Sequence, residues 1–121
     1  MSTLPPSTAD TLLVTCLCAQ WCVVCGDFAA EFEAVRTLFP QARFLWIDVE
    51  DEEDLVDPIA VDNFPTLLVA LGDAPVFFGP VMPRRRIVER LLHTHLAPQA
   101  ARGLERADLY PLVARLRQLR R

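Results

Sequence analysis

Two cysteines separated by two residues, Cys22 and Cys25, are the side chains best placed for chemistry in this sequence. Apolar residues recur after them at helical spacing, which predicts a helix from about residue 22 to about residue 38. Residues i and i+3 share one face of a helix's first turn, so the two sulfurs can approach bonding distance. The helix N-terminus favours a thiolate on Cys22. The spacing predicts thiol–disulfide exchange, with Cys22 attacking a partner disulfide and Cys25 resolving the mixed disulfide.

A metal site is the main alternative, because zinc sites use the same spacing. Two more cysteines precede the pair and lie on one face of a predicted strand. The four thiols are Cys16, Cys18, Cys22 and Cys25. Four thiolates suit zinc or an iron–sulfur cluster. A strand inside a sheet is a poor position for two ligands of a site at a helix tip, so we favour the dithiol and predict no metal.

A short series of elements must position the dithiol. The apolar stretch 12–18 predicts a central strand covered on both faces, and 43–49 predicts a second strand parallel to it. Residues 67–71 and 76–78 predict an antiparallel hairpin. Helices are predicted over 84–96 and after Asp108, a candidate cap, where leucines form one stripe and arginines the other face. An acidic run, 50–54, predicts the solvated start of a short helix.

Length and composition indicate one domain with a real core, since 121 residues carry 52% hydrophobic side chains. Residues 1–80 hold 13 acidic and 2 basic side chains, whereas residues 81–121 hold 3 acidic and 10 basic ones. This asymmetry predicts a basic final third that packs on an acidic body or remains in solvent. The arginines lack interleaved aromatics, so we expect no nucleic-acid binding. We also expect no membrane span, no secretory signal and a cytoplasmic location.

The order β-α-β-(α)-β-β-α resembles the thioredoxin family. The matching motifs are Trp21-Cys22-Val23-Val24-Cys25, Ile47-Asp48-Val49 and Phe64-Pro65-Thr66-Leu67-Leu68. The resemblance covers about residues 11–96 and implies a four-stranded mixed sheet flanked by helices. It also implies a cis peptide bond before Pro65, beside the dithiol. The residues expected to bind substrate are Trp21, Phe64, Pro65 and Thr66.

The sequence departs from the family pattern in three ways. Only about ten residues precede the central strand, so the family's first strand and helix are reduced. This gives a mobile arm at 1–10, a thioredoxin-like domain at 11–97 and a basic amphipathic helical extension at 98–121. Val23 and Val24 replace the usual Gly-Pro between the cysteines. Cys16 and Phe44 replace a buried Asp and a nearby Lys. Cys16, Val23 and Val24 are therefore candidate modulators of the site.

The resemblance implies a thiol–disulfide oxidoreductase that reduces protein disulfides and is recharged by a disulfide reductase or another thiol donor. The redox-active disulfide Cys22–Cys25 would be its only redox group, with no separate cofactor. A monomer or weak homodimer is expected. A non-catalytic adaptor that keeps the fold for binding is a further alternative. His93 and His95 lie on the helix predicted over 84–96, where a surface or packing role is expected.

Overall fold

The computed structural model describes residues 12–96 and 103–119. The arm predicted at 1–10 lies outside these residues, as does part of the predicted C-terminal extension. The strands are β1 Leu12–Cys18, β2 Arg43–Asp48, β3 Thr66–Leu71 and β4 Ala74–Pro80. The helices are α1 Val23–Leu38, α2 Glu53–Val56, α3 Arg85–Leu96 and α4 Leu109–Arg117. The predicted elements are all present, with β4 longer than expected at both ends.

The four strands form one mixed sheet in the order β2-β1-β3-β4. β1 pairs with β2 in parallel and with β3 antiparallel, and β3 pairs with β4 antiparallel. Every residue of β1 is buried, as expected for an apolar central strand covered on both faces. Gly72 makes the turn between β3 and β4 at a φ of 59°, a conformation that glycine adopts without steric cost. The predicted mixed four-stranded sheet is confirmed.

Alternation along β1 divides the core into two clusters, one on each face of the sheet. Val14, Cys16 and Cys18 point to the face covered by α1 and α3, which we call the cysteine face. Leu13 and Leu17 point to the opposite face, covered by α2 and α4, which we call the α4 face. The dithiol region therefore lies on one side of the sheet, and α4 lies on the other.

The leucine stripe of α4 docks on the domain. Four of its side chains, Leu109, Leu112, Val113 and Leu116, have no exposed surface. They pack among β-strand residues that include Leu13 and Leu45. α4 thus covers this face of the sheet.

The arginines of α4 bind backbone carbonyls. Arg117 donates to the carbonyl of Gly72 from Nε at 2.9 Å and from Nη2 at 2.7 Å. Arg115 Nε donates to the carbonyl of Leu55 at 2.9 Å. In return, Arg43 of β2 donates to the carbonyls of Arg117 and Leu119. The basic end therefore packs on the acidic body partly through hydrogen bonds to its main chain.

Asp108 is the N-cap residue of α4, as predicted, but its side chain does not make the expected capping hydrogen bond. Asp108 makes no side-chain hydrogen bond to the helix. Its carboxylate accepts from the Arg106 guanidinium at 3.0 and 2.7 Å, and this pairing lowers the pKa of Asp108. The guanidinium also lies 5.3 Å from the centre of the Phe78 ring. The Arg106 guanidinium is therefore the main partner of this carboxylate.

Candidate active site

Cys22 is the N-cap residue of α1. Its backbone is extended, with φ −81° and ψ 111°, and its Sγ accepts a hydrogen bond from the N–H of Cys25 at 3.4 Å. The backbone N–H of Cys22 donates to the carbonyl of Ala19 at 3.0 Å, which closes the turn between β1 and α1. The sulfur therefore lies at the positive end of a sixteen-residue helix, where negative charge is stabilised. Cys22 is partly exposed and is a free thiol.

The disulfide in the structure differs from the predicted one. Cys25 is joined to Cys18, the last residue of β1, with their Cα atoms 6.0 Å apart. The predicted Cys22–Cys25 disulfide is therefore not the pair that this structure contains. The physical reason lies in the fold: Cys18 points to the cysteine face directly beneath the first turn of α1, so Cys25 has a neighbour from the strand as well as one from its own helix.

Sequence reasoning missed Cys18 as a partner, although a signal was present. Cys16 and Cys18 share a strand face that α1 must cover, so either sulfur could meet the helix start. The spacing of Cys22 and Cys25 satisfies the same distance criterion within one helical turn, so spacing alone selects that pair. Cys18 and Cys25 are each only 2% exposed.

Cys16 lies two residues before Cys18 on β1 and points to the same face of the sheet. Its Sγ is 3.4 Å from the Sγ of Cys18, and its side chain is fully buried. Burial, and to a smaller extent the nearby Cys22, raises the pKa of Cys16 well above its ordinary value. Cys16 therefore remains a neutral thiol. A deprotonated acceptor is therefore missing from the position at which the family pattern has a buried Asp and this chain has Cys16.

Phe44, at the position of the family's Lys, is part of an aromatic cluster. Its ring lies 5.4 Å from that of Phe32 on α1 and 6.4 Å from that of Phe39. Phe32 also contacts the ring of Trp46 edge-on at 5.6 Å. Both members of the expected charged pair are thus replaced by groups that need no counter-charge, which fits a dry interior beneath the thiols.

An apolar rim surrounds Cys22 at the surface. Trp21 is 65% exposed and Val23 is 78% exposed, and Val24 also has exposed surface. The Trp21 ring meets the Phe64 ring edge-on, with centroids 5.6 Å apart. Large apolar side chains on a surface are typical of sites that contact other proteins.

The peptide bond between Phe64 and Pro65 is cis, as expected. Pro65 and the next residue, Thr66, are buried. The Thr66 hydroxyl donates to the carbonyl of Asn63, so its hydrogen-bonding capacity is used internally. Of the four residues expected to bind substrate, Trp21 and Phe64 therefore present side-chain surface. A second cis bond, between Asp57 and Pro58, was not predicted.

The four-cysteine metal site finds no support in the geometry. Over residues 12–96 and 103–119, no group of three or more His, Cys, Asp or Glu side chains is arranged to hold a metal ion. Two of the four sulfurs are bonded to each other. The two histidines lie on α3, where His93 packs at 5.1 Å from the Phe39 ring and His95 at 5.9 Å from the Phe77 ring.

A mixed four-stranded sheet, a cysteine-bearing helix start and a cis-proline before β3 define the thioredoxin fold. The family model for thioredoxin matches residues 6–90, which is well over half of the chain. The chain therefore belongs to the thioredoxin family.

Known relatives agree with this assignment. A Streptomyces coelicolor protein assigned as thioredoxin 2 is 27% identical over 62 residues, which are 51% of this chain and 46% of that protein. The chain thus spans about half the length of the curated relative it matches. The Fasciola hepatica thioredoxin structure has a TM-score of 0.64 at 23% identity, covering 71% of this chain and 82% of its own. A Nicotiana alata thioredoxin has a TM-score of 0.63 at 23% identity, covering 71% and 74%. These two structures share the fold.

None of the helices within the described parts of the chain has the length and apolar character needed to cross a membrane.

Proposed function

We propose that the chain is a thiol–disulfide oxidoreductase that reduces disulfides in partner proteins. The observation that carries this proposal is a partly exposed thiol, Cys22, at the N-cap of α1, one turn from a buried cysteine already at disulfide distance from another. Its sulfur accepts a hydrogen bond from a backbone N–H at the start of the helix. Membership of the thioredoxin family supports the same chemistry.

The reaction begins with the Cys22 thiolate attacking one sulfur of a partner disulfide. A mixed disulfide forms between Cys22 and that sulfur, and the other partner sulfur leaves as a thiolate. The Cys25 thiolate then attacks Cys22 Sγ, which releases the second partner thiol and leaves a Cys22–Cys25 disulfide. Two electrons have passed from the chain to the partner. A disulfide reductase or another thiol donor returns the chain to its dithiol form.

The apolar rim formed by Trp21, Val23, Val24 and Phe64 supports a protein partner rather than a small hydrophilic one. Trp21 and Val23 are largely exposed beside the reactive sulfur and would be covered by an extended segment of the partner. The rim carries no charge of its own, so recognition there depends on apolar contact. The cytoplasmic location and the monomeric or weakly dimeric state belong to the same proposal.

Insulin reduction by the purified chain with dithiothreitol tests the activity. We expect Cys22→Ser to abolish the acceleration over dithiothreitol alone, because serine cannot form the mixed disulfide. Arg86→Gln is a matched control on the exposed part of α3, and it should reduce insulin like the wild type. A wild-type rate no faster than dithiothreitol alone would favour a non-catalytic adaptor.

A further inference from the structure

Four sulfurs form a connected series that leads from the core to the surface. Cys16 Sγ lies 3.4 Å from Cys18 Sγ, and Cys18 is bonded to Cys25. The amide N of Cys25 lies 3.4 Å from Cys22 Sγ. The exchange proposed above uses only Cys22 and Cys25. The structure, however, joins Cys25 to the strand and leaves Cys22 free.

We propose that Cys18 is a third redox-active cysteine, which takes the disulfide over from Cys22 after a partner has been reduced. This inference deepens the proposed function and rests on it only for the source of the disulfide. The oxidised chain would then exist as two isomers. One carries a disulfide at the surface, Cys22–Cys25, and the other carries it in the core, Cys18–Cys25.

The step is an internal thiol–disulfide exchange that needs no outside oxidant or reductant. The Cys18 thiolate attacks Cys25 Sγ, the Cys18–Cys25 bond forms and the Cys22–Cys25 bond breaks. Cys22 leaves as a thiolate at the helix N-terminus, where the helix end stabilises it. The proton lost by Cys18 is balanced by the proton that Cys22 can take up from water. The number of electrons held by the chain does not change.

Burial gives the two isomers different access to external thiols. Both sulfur-bearing residues of the core disulfide, Cys18 and Cys25, are 2% exposed, whereas Cys22 is partly exposed. A reductant in solution cannot readily reach the core disulfide. Attack by Cys22 on Cys25 reverses the exchange and returns the disulfide to the surface. Cys22 is therefore the thiol that converts the core disulfide, Cys18–Cys25, back into the surface disulfide, Cys22–Cys25.

Cys16 has a defined place in this exchange. Cys18 has no S–H while it is bonded to Cys25, so in the contact between the two sulfurs Cys16 must be the donor. Burial keeps Cys16 protonated by raising its pKa. When Cys22 attacks Cys25, Cys18 leaves as a thiolate next to the Cys16 S–H. Cys16 thus positions a weak donor at the leaving sulfur.

Differential alkylation maps the pairing directly. The chain is oxidised with diamide, its free thiols are blocked with N-ethylmaleimide in denaturant, and the remaining cysteines are reduced and labelled with iodoacetamide. All four cysteines fall in one tryptic peptide, 1–36, which has no internal basic residue. Tandem mass spectrometry should place N-ethylmaleimide on Cys16 and Cys22. Placement on Cys16 and Cys18 at all times after oxidation would overturn the proposal.

Reduction kinetics test the part assigned to Cys22. In Cys22→Ser the core disulfide can still form, and serine is a good N-cap residue. Reduction of this core disulfide by glutathione should be slower than in the wild type by about tenfold or more, because the Cys22 thiol that attacks it is missing. Arg86→Gln, on the exposed surface of α3, retains all four cysteines and should be reduced at the wild-type rate. Equal reduction rates in the wild type and Cys22→Ser would overturn the exchange.

A variant that lacks Cys18 provides a second test of the exchange. Cys18→Ser can pair only at the surface, so its disulfide should be reduced at least as fast as that of the wild type. Slower reduction of Cys18→Ser would contradict the exchange. None of these readouts uses a partner protein, so a failure to reduce insulin would leave the pairing result intact, and a failed pairing result would leave the insulin result intact.

Discussion

The two faces of the sheet are packed by similar apolar side chains, yet they differ in what those side chains can do. The cysteine face carries all four sulfurs near one end of β1, together with a cluster of aromatic rings beneath α1. Among the residues that the structure describes, the α4 face is almost wholly aliphatic and carries no sulfur. The redox groups therefore lie on one face of the sheet, and the other face is covered and stabilised by α4.

The separation of the two faces also explains where the basic end of the chain packs. An amphipathic helix of nine residues is marginal in water, so α4 depends on its docking surface. It gains that surface from strand residues on the side of β1 that faces away from the thiols. Arg115 donates to the backbone carbonyl of Leu55 in α2, and Arg117 donates to that of Gly72 in the turn between β3 and β4. Removing or weakening α4 should therefore affect stability before it affects thiol chemistry.

Removing α4 should have the largest effect on the α4 face. A chain that ends after residue 103 loses four fully buried side chains, three leucines and a valine. Each is worth about 1.5–3 kcal/mol of burial, so the total is of the order of 6–12 kcal/mol. This is comparable to the whole stability of a small domain. We expect no cooperative thermal transition by circular dichroism. A truncated chain that melts at the wild-type temperature would contradict the structural role of α4.

Replacing Arg117 by Met should have a smaller effect on the same face. The guanidinium donates two hydrogen bonds to the Gly72 carbonyl, and bonds of this kind contribute about 1.5–3 kcal/mol. We expect urea unfolding to show a loss of about that size, with insulin reduction unchanged in the folded protein. Arg86→Gln, on the exposed surface of α3, should change stability by less than about 0.5 kcal/mol. Equal effects of the two variants would show that the carbonyl contacts are unimportant.

Alkaline pH should affect the cysteine face through Cys16. Its pKa in the folded chain is raised above the ordinary value of 9.0 by burial, so the unfolded chain loses this proton first. Stability from this group is complete below pH 9 and falls as pH rises beyond it, by up to about 1.4 kcal/mol per pH unit.

Cys16→Ala provides the matched comparison for this pH dependence. Unfolding free energies measured from pH 8 to 10 should fall more steeply in the wild type than in the variant. The other ionising groups are common to both proteins and cancel in the difference. Parallel pH profiles would show that Cys16 ionises as readily in the folded chain as in the unfolded one.

Thr15 is the one buried polar side chain on β1, and its position between Leu13 and Leu17 places it on the α4 face. Within residues 12–96 and 103–119, its hydroxyl is buried without a hydrogen-bond partner. Thr15→Val keeps the shape and removes this hydroxyl, so we expect a gain of about 1 kcal/mol in urea unfolding. Thr66→Val removes a hydroxyl that donates to the Asn63 carbonyl, and it should lose stability instead. A loss in Thr15→Val would indicate that its hydroxyl has a bound partner.

Much of the fold could be predicted because its signals are local. The uninterrupted apolar run of β1 predicts a central strand, and the helical spacing of Phe28 and Phe32 predicts α1. The sheet and the cis bond before Pro65 followed from the family resemblance. The stripe on α4 identified an apolar face but not its target, because periodicity carries no information about what covers a face. Asp108 was misread because the alternative partner, Arg106, is a side chain whose position depends on the folded loop.

The disulfide partner could not be fixed by spacing. Cys22 and Cys25 are neighbours by helix geometry, whereas Cys18 and Cys25 become neighbours only when α1 folds back over the end of β1. The second relationship depends on the turn between the two elements, which no sequence period encodes. The roles of Cys22 and Cys25 in the reaction stay predictions.

Cys22, the exposed end of the cysteine face, is the thiol through which exchange with a partner disulfide is expected to begin. Brief alkylation of the fully reduced chain with iodoacetamide, followed by mass spectrometry of the peptide 1–36, measures the order in which the four thiols react. Because Cys22 is partly exposed at the helix N-cap and the other three are at most 2% exposed, Cys22 should be labelled first. Labelling of Cys25 or Cys18 before Cys22 would contradict the account.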